Sequence, residues 1–77
     1  MNQSILFNDD LRFNEEVSSW TMSAQLLGEL KTIYFHSVEL KQQVSISQCM
    51  KYDLEEIVEL WLEKNEPEGS EIHIQMD

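Results

Sequence analysis

The chain has 77 residues, 42% of them hydrophobic, which is enough for one small core and no more than one domain, residues 1–77. Five basic residues against fifteen acidic ones leave a net charge of −10. That charge excludes direct nucleic-acid binding and anionic membrane surfaces, because both need Lys and Arg to meet phosphate, and it favours basic protein partners instead.

Residues 4–7, SILF, form a short apolar run stopped by Asn8, Asp9 and Asp10, the pattern of a strand and a turn. Residues 17–27 alternate, with Trp20, Met22, Ala24 and Leu26 on one side and Ser19, Thr21, Ser23 and Gln25 on the other. Period two predicts a strand with one buried face. Gly28 and Glu29 interrupt it, and residues 30–36, LKTIYFH, resume with aromatic and β-branched residues. Two extended runs around a glycine predict an antiparallel hairpin, although the turn has no Asn-Gly signal to define its type.

Residues 37–43 admit either a strand extension or a short helical turn capped by Ser37. Ser45 with Gln48 three positions on has the form of a capping box, and a helix is expected over residues 46–65. At 100° per residue Met50, Leu54, Ile57, Val58 and Trp61 share one arc, with Ile46 and Leu62 at its edges. Pro67 stops the helix and Gly69 turns the chain. Residues 71–76, EIHIQM, alternate as a final strand. The expected fold is α+β, a small antiparallel sheet in the order β-β-β-α-β with one long amphipathic helix packed on one face.

Residues 50–66, MKYDLEEIVELWLEKNE, followed by IHIQ, are similar to a helix and closing strand found in the YrdB-like family of short bacterial proteins of unknown function. MNQSILF and FNEE resemble the opening of that family. The family carries a longer segment between hairpin and helix than HSVELKQQVS does here, so the resemblance implies a missing accessory helix. It implies a small sheet with a packed helix and no catalytic residues.

The acidic residues are concentrated toward the end of the chain. From Asp53 to Asp77 there are nine acids and one base, a net −8 of the total −10. Glu55, Glu56, Glu59, Glu63 and Glu66 project into about a 100° sector of the expected helix, and successive residues at spacing four rise by about 6 Å. Like charges at that spacing weaken a helix by a few tenths of a kcal/mol per pair. A solvated face explains the stripe without any function. A surface imitating nucleic-acid phosphate explains why so few lysines relieve it. Tyr52 and Leu60 fall off the apolar arc and are candidate contact anchors, whereas Trp61 is assigned to the core.

Catalytic and cofactor signals are thin. His36 and His73 lie on expected strands with no H-E-x-x-H spacing, and ordinary strand histidines are the favoured reading. A metal-dependent enzyme needs those two to converge with an Asp or Glu. No Ser-His-Asp order and no glycine-rich phosphate loop can be named. Cys49 is the only cysteine, which suits a reducing, cytoplasmic setting. The opening MNQSILFNDD has no signal-peptide form, and no apolar run approaches a membrane span.

The expectation is a non-enzymatic, acidic protein-binding module of bacterial or phage origin, without cofactor or metal. Its concrete form is a nucleic-acid-mimicking inhibitor, of anti-restriction or anti-CRISPR type, that occupies a basic surface of a nucleic-acid-binding protein through Tyr52, Glu55, Glu56, Glu59, Leu60, Glu63 and Glu66. The alternative is a YrdB-like housekeeping protein, a small regulator or homodimer whose acidity keeps it soluble.

Overall fold

The computed structural model describes residues 5–76, so Ser4, expected in the first strand, lies outside the described residues. The elements follow in the order β1 (Ile5–Phe7), β2 (Arg12–Asn14), β3 (Ser19–Leu26), β4 (Glu29–His36), α1 (Val38–Lys41), α2 (Gln48–Lys64) and β5 (Glu71–Gln75). The architecture is α+β: a mixed five-stranded sheet with β1 and β2 on β3, then β4, then β5, and one long helix.

The β3–β4 hairpin organises the sheet. Its register sets Trp20, Met22 and Ala24 opposite Phe35, Ile33 and Lys31, so the alternation read from the sequence becomes one buried face. Leu27 and Gly28 form the turn, with φ of 54° and 84°. Positive φ at both central positions marks type I′, whose twist matches that of the flanking strands. Gly28 adopts this conformation freely, whereas the Cβ of Leu27 crowds its own carbonyl.

β1 and β2 both run antiparallel to β3, one beside each end. Phe7 pairs with Ala24 and Arg12 with Thr21, so residues 8–11 span a stretch where β3 supplies only Met22 and Ser23. The surplus bulges outward. The Asp10 carboxylate accepts the Ser23 backbone N–H at 2.8 Å and the Ser23 hydroxyl, which satisfies a donor that the broken strand leaves unpaired. Such an interruption also blunts the sheet edge against pairing with another chain. At the next turn the Asn14 side-chain oxygen accepts the Glu16 N–H at 3.0 Å.

The last strand corrects the all-antiparallel expectation. β5 pairs parallel with β4, from Thr32 opposite Glu71 to His36 opposite Gln75. The reason is geometric: 17 residues of α2 cover about 26 Å, enough to carry the chain back along β4. The next strand therefore starts at the end where β4 started. β3 is already flanked by β1 and β2, which leaves the outer edge of β4 for β5.

The segment after β4 takes the helical alternative. Ser37 caps α1, its hydroxyl accepting the Leu40 N–H at 3.2 Å. The Trp20 indole N–H donates to the Leu40 carbonyl at 2.8 Å and ties α1 to the sheet.

α2 begins later than the expected residue 46. Ser47, not Ser45, is the N-cap, with an extended backbone and its hydroxyl accepting the Met50 N–H at 3.2 Å. Ile46 lies before the helix and packs against the core. The helix ends at Lys64, because Asn65 is extended (φ −135°, ψ 151°) two residues ahead of Pro67.

The helix is also rolled relative to expectation. Leu54, Val58 and Leu62 are its buried residues, Ile57 and Trp61 are half-buried, and Met50 is exposed. The centre of burial thus moves by roughly 50° around the axis, taking 100° per residue. Leu54 and Val58 join Ile33, Phe35, Ile72 and Ile74 in one core against the inner sheet face.

Candidate functional site

Rolling the helix changes which acids face outward. Glu56 and Glu63 are exposed, but Glu55 and Glu59 lie on the helix flank and are half-buried. Glu66 leaves the stripe altogether: it follows the helix and borders a shallow groove with Leu26, Leu27, Glu29, Lys31 and Pro67. The outward ridge of α2 is therefore Tyr52, Glu56, Leu60 and Glu63, at spacings of four, four and three. Tyr52 is 57% exposed and Leu60 52% exposed, so Tyr52 stands beside Glu56, and Leu60 between Glu56 and Glu63, in solvent. Asp53 and Cys49 are exposed on the same side.

The cations do little to neutralise that ridge. Lys31 is buried on the inner face, bonded to Glu29 and to the Gly69 carbonyl. Lys51 pairs with Asp9, which fastens the first turns of α2 to the β1–β2 bulge. The Lys51 ammonium also lies 5.7 Å from the Tyr52 ring centroid, holding one side of that ring. Lys64 sits in the last turn, where it complements the helix dipole.

A second constellation lies on the opposite, open face of the sheet. Parallel pairing sets Tyr34 beside His73, and their rings stack with centroids 4.6 Å apart and an interplanar angle of 6°. The His36 ring meets His73 edge to edge and nearly coplanar, with centroids 5.1 Å apart and an interplanar angle of 14°. His36 Nε2 lies 2.8 Å from His73 Nδ1. His73 Nε2 lies 3.2 Å from Glu71 Oε1, and the Tyr34 hydroxyl donates to Glu71 Oε2 at 3.3 Å. One hydrogen-bonded line thus runs from Tyr34 through Glu71 and His73 to His36.

Its electrostatics follow from crowding. Partial burial lowers the pKa of His36, and positive charge on His73 and Lys41 lowers it further. Burial raises the pKa of Tyr34, assisted by the charge and hydrogen bond of Glu71. The sequence favours ordinary strand histidines over a convergence of the two with a carboxylate, and the structure brings His36, His73 and Glu71 together. The signal that joins the two histidines is parity, since both occupy the polar side of their strands, but the parallel register is needed to use it.

On this face a shallow groove of about 330 Å³ is lined by His36, Ser37, Val38, Lys41 and Gln75. A more apolar groove of about 370 Å³ lies between α1 and the start of α2, lined in part by Leu40, Ile46, Met50 and Met76. No helix among the described residues is long and apolar enough to cross a membrane.

The fold is that of a small α+β protein with an acidic ridge on α2 and a histidine-bearing open sheet face. No family model and no curated protein matches the chain. Among solved structures, it is similar to a protein of unknown function from the DUF1488 family of Shewanella loihica PV-4. The TM-score is 0.66 at 23% sequence identity, covering 96% of this chain and 94% of that one. At this identity the likeness is one of fold, and it fits a small protein of unknown function. The finer YrdB-like resemblance rests on the residues that suggested it.

Proposed function

We propose that the chain is a non-enzymatic acidic module that docks the outward ridge of α2 on a basic protein surface. The observation that carries this reading is the alternation of exposed Tyr52 and Leu60 with exposed Glu56 and Glu63. Carboxylates steer the encounter over a distance set by salt, and apolar side chains buried at contact set the residence time. The concrete form is a nucleic-acid-mimicking inhibitor, of anti-restriction or anti-CRISPR type, acting in the cytoplasm. Glu55 and Glu59 flank the ridge and add field, and Glu66 acts from beyond the helix end.

The test is titration of the labelled protein against a panel of purified nucleic-acid-binding proteins at low and high salt. The expected result is a partner whose affinity falls by at least about tenfold between 50 and 200 mM salt, as multiple charge contacts require. The E56K/E63K variant should lose that partner through slower association, and Y52A/L60A through faster release. Absence of binding across the panel at low salt sinks the reading.

A housekeeping homodimer is the second reading, favoured by exposed Leu6, Leu27 and Leu30 at one end of the open sheet face. Sedimentation equilibrium separates the two, since only this reading expects a dimer that L6D or L30D dissociates.

A further inference from the structure

The geometry points to a two-histidine binding site for a divalent transition metal on the open face of the sheet, formed by His36 Nε2 and His73 Nδ1. It is independent of the α2 ridge, which lies on the other side of the molecule.

Three features support it. The two nitrogens point at each other across 2.8 Å from neighbouring strands. At metal–nitrogen distances of about 2.0–2.1 Å, two imidazoles in a tetrahedral shell hold their nitrogens roughly 3.3 Å apart, so the ion enters as the rings part by about half an ångström and each tilts by roughly 35° from the line that joins the nitrogens. Next, the tautomer of His73 is set by its neighbour. Glu71 Oε1 beside Nε2 is an acceptor, so Nε2 carries the hydrogen and Nδ1 offers its lone pair. A carboxylate behind a ligating imidazole is the arrangement that orients histidine at metal centres and raises its basicity. The Tyr34 hydroxyl holds the other Glu71 oxygen, and the Tyr34 ring stacks on His73, so the ligand is braced from both sides.

Without metal, His36 Nε2 must donate to His73 Nδ1. Binding an ion replaces that bond and moves the His36 hydrogen to Nδ1. No group of three or more His, Cys, Asp and Glu side chains that could hold a metal gathers among the described residues. The site is therefore bidentate, with remaining positions open to water or to a group from another molecule. Imidazole donors select zinc, copper or nickel over magnesium, which prefers oxygen. Lys41 lies near enough to lower the pKa of His36 and opposes a cation there, whereas Glu71 and the net charge of −10 favour one.

The test is zinc titration near pH 7.5, above the ordinary histidine pKa of about 6.5, followed calorimetrically and by the imidazole resonances in NMR. One equivalent should bind, shifting the ring signals of both His36 and His73. H36Q and H73Q should each abolish that step, with circular dichroism confirming the fold. E71Q should weaken it by roughly tenfold, the usual effect of losing a carboxylate behind a ligating histidine. E56Q/E63Q should leave it unchanged, and magnesium should not reproduce the ring shifts. Zinc binding of equal strength in H36Q and H73Q, or no zinc binding by the wild type, overturns the proposal.

Discussion

Leu27 is a residue whose backbone conformation works against its side chain. Asp9 and Ser18 also have positive φ, but short polar side chains tolerate that region, whereas a γ-branched leucine gains nothing from it. Leu27 is 72% exposed, so little packing offsets the strain. Leu27→Asn is expected to raise stability by about 1 kcal/mol, read from the midpoint of urea denaturation. A decrease would show that the leucine side chain contributes packing its exposure conceals. His36 gives a residue-scale prediction in pH. Its folded pKa is lowered, so as pH falls the unfolded chain takes up the proton first. Stability should therefore fall as pH drops below about 6.5 and stop falling, for this group, below the folded pKa. H36Q should flatten that part of the profile in thermal melts across the same range. An unchanged slope would remove His36 as its cause.

At the scale of elements, α2 is legible in outline but not in two particulars. Its apolar spacing is enough to identify a helix, because Leu54, Val58 and Trp61 recur at helical intervals. Its start is not legible because Ser45 and Ser47 both have N-cap chemistry, and only backbone geometry decides between them. Ser47→Ala should cost about 1 kcal/mol and Ser45→Ala close to nothing, compared by chemical denaturation. Equal effects would contradict the cap assignment. The roll of the helix is not legible either. Leu62 and Met50 are comparably apolar, and which one is buried depends on where the sheet lies beneath the helix. That difference moves Glu55 and Glu59 off the outward face and places Tyr52, Glu56, Leu60 and Glu63 along it.

Across the whole molecule, charge has the widest influence. A net −10 on 77 residues makes the folded state repel itself more than the expanded chain does. The ion pairs of Lys31 with Glu29 and Lys51 with Asp9 relieve this only locally. Raising NaCl from about 20 to about 200 mM shortens the screening length from roughly 20 to 7 Å and should raise the melting temperature. A protein stabilised mainly by its surface ion pairs would show the opposite trend. The same salt should weaken binding to a basic partner, so fold stability and affinity are expected to move in opposite directions.

Local sequence is sufficient for the α+β composition, the β3–β4 hairpin, the helix before Pro67 and the surplus of negative charge. Each of these follows from short-range periodicity, from a backbone restriction at one residue, or from a count. The parallel place of β5, the roll of α2 and the meeting of His36 with His73 arise only on folding. They depend on how elements far apart in the chain share one core, and a period of two or 3.6 assigns faces without assigning neighbours.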